Sequence, residues 1–177
     1  MTQNLAWGDW IDESPFQLRF RSKWLNYDGT EGPGTKVDFC GLKKIDFAVL
    51  APDDLAEGLY LVEVKSSEWL ANGDGNLEDK ICNLFRCYLD SLSILARSKD
   101  TGIKEFRQAA SSERIKLVLF IAPRLPGKDS LMGIMDSLRR KLAKKLKYLD
   151  IEPEVMIETL DTVKRKEHLL FDARRKT

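Results

Sequence analysis

Residues 114 to 122 form a nearly continuous apolar run, Arg-Ile-Lys-Leu-Val-Leu-Phe-Ile-Ala. A β-strand with this pattern is expected where both faces of a sheet are covered by other layers. We therefore predict that this segment lies in the middle of a sheet. A chain of 177 residues with 43% apolar side chains is long enough to bury such a layered core as one domain.

Three more extended segments precede this run in the sequence. Residues 36 to 42 form a short one bounded by glycines, and residues 44 to 50 are rich in β-forming side chains. Residues 59 to 65, Leu-Tyr-Leu-Val-Glu-Val-Lys, have the strongest strand pattern of the chain. Because Gly41 and a turn over residues 52 to 58 connect them closely, we expect an antiparallel meander.

A helical pattern is found before these strands. Ser14 is a suitable helix N-cap, and a proline at the next position suits the first helical turn. Phe16, Phe20 and Trp24 then recur every four residues, the spacing of one buried helix face. The pattern predicts a helix over about residues 14 to 26.

The rest of the chain alternates helix and strand patterns. An amphipathic helix of about five turns is predicted from Leu77 to Leu95 and another over about residues 129 to 149. Residues 154 to 159 resemble a further strand, and residues 164 to 177 are basic, weakly patterned and expected to fray. The resulting order, α-β-β-β-α-β followed by α-β, predicts an α/β domain with a mixed sheet between helices.

Composition excludes several classes of protein. No apolar run approaches the ~20 residues that a membrane helix needs, and no secretory signal pattern is present at the start, so we expect a cytoplasmic protein without a membrane partner. Three cysteines fit reduced thiols better than a disulfide framework. A single histidine leaves most zinc and Ser-His-Asp chemistry without its ligands or its base.

The net charge of +1 conceals two halves of opposite sign. Residues 1 to 80 hold 15 acidic and 8 basic side chains, a net charge of −7, whereas residues 81 to 177 hold 13 and 21, a net charge of +8. This division suggests an acidic site beside a basic surface, or ordinary solvated charge placed unevenly. Six cations crowd the predicted helix over residues 129 to 149, where they suit a phosphate backbone or form a solvated face: Arg139, Arg140, Lys141, Lys144, Lys145 and Lys147.

Two carboxylates and one amine are expected to meet on neighbouring strands. Glu63 and Lys65 point to the same face of their strand because they are two residues apart. Asp46 interrupts an apolar sequence on the preceding strand, and antiparallel pairing can bring it opposite Glu63. Hard oxygen ligands suit Mg²⁺ or Mn²⁺, and a lysine can position water and offset charge on a phosphate. The alternative is a solvent-facing ion pair on a half-exposed strand.

Ile45-Asp46-Phe47 followed by Leu61-Val62-Glu63-Val64-Lys65 resembles the D...(D/E)xK signature of the PD-(D/E)xK nuclease superfamily, which has the restriction-endonuclease-like fold. The resemblance extends over residues 14 to 122, the expected core, and leaves residues 123 to 177 as an extension with an added helix and strand. It implies Mg²⁺-dependent hydrolysis of phosphodiester bonds. Asp46, Glu63 and the Val64 carbonyl would hold the metal, and Lys65 would orient the attacking water.

The chain also departs from the family pattern. Members often carry another acidic residue on the first helix, whereas here only Glu13 before the helix and Gln17 in its first turn are available. Asp38 is the main rival to Asp46, although glycines and a shorter apolar run surround it. Small members often pair so that two sites meet two strands, which raises a homodimer as an expectation.

The sequence thus predicts a single-domain nuclease that acts on DNA, with RNA as the alternative substrate. A rival from another class is a catalytically inactive module that keeps the fold and binds nucleic acid or a partner protein through its basic surface.

Overall fold

The computed structural model describes residues 7–13, 15–27, 42–52, 58–66, 69, 76–111, 114–121, 128–147, 154–165 and 170–176. Its strands are β1 (Ile11–Glu13), β2 (Phe16–Phe20), β3 (Trp24–Asn26), β4 (Phe47–Leu50), β5 (Leu59–Lys65), β6 (Ile115–Ile121), β7 (Glu154–Glu158) and β8 (Phe171–Arg175). Its α-helices are α1 (Leu77–Arg97), α2 (Lys104–Ala110), α3 (Lys128–Lys147) and α4 (Leu160–Arg165), and a 3-10 turn, Thr101–Ile103, precedes α2. Residues 36 to 41 of the first predicted strand lie outside the described ranges.

A five-stranded mixed sheet, in the order β3-β4-β5-β6-β7, forms the centre of the fold. The strands β3, β4 and β5 pair antiparallel, and β5, β6 and β7 pair parallel. The prediction of an α/β protein with a mixed sheet is confirmed. The predicted position of the apolar run is also confirmed, since β6 is paired on both sides and its residues are almost all buried.

Different layers cover the two faces of this sheet. One face carries Leu59, Leu61 and their neighbours, and it packs against buried side chains of α1, α2 and α3. The other face carries Tyr60, Val62 and Val64, and it packs against a small sheet of three antiparallel strands, β1-β2-β8, and against α4. Since side chains alternate along β5, each residue of this strand can be assigned to one of these two faces.

The predicted helix over residues 14 to 26 is wrong, because the described part of this segment forms strands β2 and β3. Phe16 and Phe20 are four residues apart, which is one helical turn but also two repeats of a strand. Leu18 lies between them and is equally buried, so the burial alternates with the period of a strand. The order α-β-β-β-α-β is therefore wrong at its first element.

The expectation that residues 164 to 177 fray is also wrong. Within them β8 pairs antiparallel with β2, aligning Leu18 with Ala173 and Phe20 with Phe171. Arg19 of β2 donates to Asp172 of β8 through two nitrogens, at 2.8 and 3.1 Å. A weak local pattern did not reveal this strand because its partner lies about 150 residues away.

The two long helices agree with their predicted spans. An Asn76–Asp79 capping box begins α1, and each of the two residues accepts a hydrogen bond from the backbone of the other. α3 buries Leu138, Leu142 and Leu146 against α1 and β7. Neither these nor any other helix among the described residues is long and apolar enough to cross a membrane.

Candidate active site

Asp46 lies immediately before β4, directly across from Glu63 of β5. The register pairs Phe47 with Val62, so one step further along the two strands brings Asp46 opposite Glu63. The Val64 N–H donates a hydrogen bond to Asp46 Oδ2 at 2.6 Å. This contact fixes the carboxylate of Asp46 beside the carboxyl end of β5.

Glu63 and Lys65 occupy the face of β5 that is covered by helices. Glu63 is only 2% exposed, and the Lys65 ammonium forms an ion pair with Glu63 Oε1. The Lys65 side chain is 28% exposed, and Asp46 is half-buried. The site therefore has a buried carboxylate at its base, whereas Lys65 and Asp46 extend to the solvent.

The charges of this triad perturb one another. Burial, and then the negative charge of Asp46, raise the pKa of Glu63 to about 7. Burial disfavours the charged form of Lys65, but Glu63 and Asp46 together hold the pKa of its ammonium above the ordinary value. Near pH 7 Glu63 can therefore exchange a proton, while Lys65 stays charged.

One oxygen of Glu63 lacks a hydrogen-bond partner. Among the described residues, Oε2 of Glu63 is the buried side-chain oxygen for which no donor is found. A buried carboxylate oxygen without a partner costs about 1 to 3 kcal/mol, so a ligand that reaches it would gain in binding. A cation is one ligand that can satisfy it.

The oxygens present fit a hard divalent cation. In an extended strand the N–H and C=O of one residue point to the same neighbouring strand, so the Val64 carbonyl faces the side of Asp46. Asp46, Glu63 and this carbonyl thus supply oxygen ligands from one side. No group of three or more His, Cys, Asp or Glu side chains is placed to hold a metal within the described residues. Mg²⁺ retains several waters, so it tolerates such a small set of protein ligands.

Helix α1 anchors the strand that presents Asp46. The Ile45 N–H donates to the Ser91 hydroxyl at 3.0 Å, and the Tyr27 hydroxyl donates to the Ser91 carbonyl at 3.0 Å. The Tyr27 N–H in turn donates to the Asp46 carbonyl at 3.0 Å. Our sequence interpretation did not include Ser91. The signal that could have found it is a serine among the buried apolar positions of an amphipathic helix.

Glu13 and Gln17 are not placed on a helix beside the triad, and this part of the prediction is wrong. Gln17 donates to Asp12 Oδ1 at 2.7 Å and accepts from Arg174 at 2.8 Å in the small sheet. Glu13 pairs with Phe16 in that sheet, which packs on the face opposite Glu63 and Lys65. The error follows from the misassigned helix. Asp38, the rival to Asp46, lies outside the described residues.

The basic side chains of α3 are mostly exposed, and acidic residues accompany them. Arg139 and Arg140 pair with Asp136 at 2.6 and 3.0 Å. Lys141 and Lys145 approach Glu78 of α1 at 3.6 and 2.8 Å, respectively. Lys144 and Lys147 are exposed in the last turns of the helix. The six cations thus form a surface whose charge is partly offset by two carboxylates.

Comparison with known proteins adds no relative. No protein-family model, curated protein or solved structure matches the chain. The geometry described above is therefore the basis for any functional assignment.

Proposed function

We propose that this protein is a metal-dependent nuclease that hydrolyses DNA phosphodiester bonds and belongs to the PD-(D/E)xK type. One observation carries the proposal. Within the described part of the chain no donor reaches Oε2 of the buried Glu63, which lies against both Asp46 and Lys65. A purely structural ion pair would be expected to have all its oxygens satisfied.

Each residue of the triad has a role in this proposal. Asp46, Glu63 and the Val64 carbonyl would hold Mg²⁺ or Mn²⁺. The bound cation would offset the negative charge that builds up on the phosphate during hydrolysis. The Val64 N–H keeps Asp46 in the orientation needed for binding. Lys65, held beside Glu63, orients the attacking water and offsets charge on the phosphate.

The surface of α3 has a secondary role in the same proposal. Its exposed cations, Lys144 and Lys147 above all, contact the DNA backbone without reading its sequence. DNA is the proposed substrate, with RNA as the alternative, and a homodimer would bring two such sites to the two strands of a duplex.

Cleavage assays on plasmid and single-stranded DNA test the activity. We expect cleavage with Mg²⁺ or Mn²⁺, none with a chelator, and a loss of at least about 100-fold in kcat for Lys65→Ala. Lys99→Ala is the matched control, since Lys99 is exposed beyond the end of α1, and it should cleave like the native chain. Circular dichroism checks that both variants fold.

A catalytically inactive binding module is the second candidate, and the basic surface of α3 favours it. This candidate is supported, and the nuclease rejected, if the protein binds DNA in a salt-dependent way but cleaves no substrate with either metal. Cleavage of RNA but not of DNA would retain the mechanism and change the substrate.

A further inference from the structure

Lys43 is held over helix α1 by two hydrogen bonds. Its ammonium donates to Asn83 Oδ1 at 2.6 Å, and its backbone N–H donates to Asp90 Oδ2 at 2.9 Å. Asp90 is also approached by Arg86 at 3.5 Å. The side chain of Lys43 is exposed, yet its position is defined at both ends.

Lys43 lies three residues before Asp46 of the triad on the same segment of chain. Asn83 and Asp90 are seven residues apart, about 10.5 Å along the helix axis, and Cys87 lies between them on the same side of α1. The lysine side chain therefore runs along the helix past Cys87. Cys87 is half-buried, and after burial the charges of Glu63 and Lys43 are among those that act on the pKa of its thiol, which is raised to about 11.

Stability alone does not account for this arrangement. Ordering a lysine side chain costs up to about 2 kcal/mol of conformational entropy, and an exposed polar contact returns little of it. A cation fixed in advance, however, binds an anion with a smaller entropic cost at the moment of binding. The arrangement is thus better suited to a ligand than to the fold.

We propose that Lys43 binds the backbone phosphate next to the one that reacts, with Asn83 and Asp90 as positioning residues. This inference rests on the proposed nuclease function. The three residues from Lys43 to Asp46 span at most about 10 Å of extended chain, and the phosphates of one DNA strand follow each other every 3.4 Å along the axis. The two cations, Lys65 and Lys43, then contact neighbouring phosphates of a single strand. The contact is independent of base sequence, because only the phosphate is bound.

Steady-state cleavage of a labelled oligonucleotide by Lys43→Ala tests the inference. We expect KM to rise about 5- to 20-fold with kcat within about twofold, since one charged hydrogen bond is lost in binding. The slope of the logarithm of the binding constant against the logarithm of the salt concentration should become less steep by about one unit. Lys43→Arg should restore most of the affinity, and Lys104→Ala, an exposed lysine at the start of α2, should behave like the native chain.

Asn83→Leu tests the positioning role separately. It should raise KM about two- to fivefold in the native chain but have no further effect in Lys43→Ala, because the two residues act as one unit. Thermal unfolding confirms that each variant folds.

The outcomes separate the two proposals. If the native chain cleaves and Lys43→Ala has an unchanged KM and salt slope, the role of Lys43 is overturned while the nuclease stands. A drop in kcat at constant KM would likewise contradict binding of a neighbouring phosphate. If the native chain cleaves no nucleic acid in either metal, the nuclease itself is wrong, and the role of Lys43 is lost with it.

Discussion

Glu63 and Glu158 are equally buried, each 2% exposed, but their surroundings differ. The Thr162 hydroxyl donates to Glu158 Oε2 at 2.6 Å and accepts from the Thr159 N–H at 2.7 Å. Glu158 thus belongs to the cap of helix α4. Glu63 has a lysine on one oxygen, and among the residues that the structure describes no donor reaches the other. The difference separates a carboxylate whose oxygen is bound within the fold from one that, under the proposed function, would bind a cation.

The largest expected difference between the two glutamates is in cleavage. Glu63→Gln should reduce the Mg²⁺-dependent rate at least about 100-fold, because a neutral amide is a poor ligand for a hard cation. Glu158→Gln should stay within about twofold of the native rate. The rates are measured on the same plasmid substrate at saturating metal. If both variants lose the same fraction of the cleavage rate, Glu63 has no special role in catalysis compared with Glu158.

A smaller difference is expected in the pH dependence of stability. Burial raises the pKa of Glu63 to about 7 in the folded chain, above its ordinary value of 4.5. Between these values the folded state binds more protons than the unfolded state, so its stability falls as pH rises. We expect Glu63 to account for a loss on the order of 2 kcal/mol between pH 5 and pH 8 in a chelator.

Urea unfolding of the native chain and of Glu63→Gln measures that contribution as the difference between their pH profiles. Mg²⁺ should restore more stability at pH 8 than at pH 5, because metal binding competes with the proton. Parallel pH profiles for the two proteins would show that the pKa of Glu63 is not raised in the folded chain.

The smallest effect concerns the cap around Glu158. Thr162→Val removes the hydroxyl that bridges Glu158 and the Thr159 N–H, so the free energy of unfolding should fall by about 1 to 2 kcal/mol. Thr162→Ser keeps the hydroxyl and should cost less than about 0.5 kcal/mol. Urea unfolding measures both free energies. If Thr162→Val is as stable as Thr162→Ser, the hydroxyl bridge does not stabilise the fold.

The sequence predicts the elements whose signals are local. Strands β5 and β6 and helices α1 and α3 each show a complete burial pattern within their own residues, and the structure places them within a few residues of the expected bounds. The meeting of Asp46 and Glu63 also follows from local information, since a short connection implies antiparallel pairing.

The elements that the sequence misassigned depend on distant partners. The burial of Phe16 and Phe20 is compatible with a helix until β8 is known to pair with β2, and that pairing joins opposite ends of the chain. The same limit applies to Lys43 and Ser91. The contact of Lys43 with Asn83 of α1, and that of Ser91 with the Ile45 N–H, form only once the helix is packed on the sheet.

Pairing of β2 with β8 has a consequence for synthesis of the chain. Phe20 packs with Phe47 and Phe171, with ring centroids 5.1 and 6.1 Å apart, so the aromatic layer contains residues from both ends. During translation this layer must stay open until residues 171–175 leave the ribosome, although β4, β5 and α1 have long emerged. A nascent chain of this protein would therefore expose an apolar aromatic surface, open to chaperones, throughout the synthesis of the residues between Phe47 and Phe171.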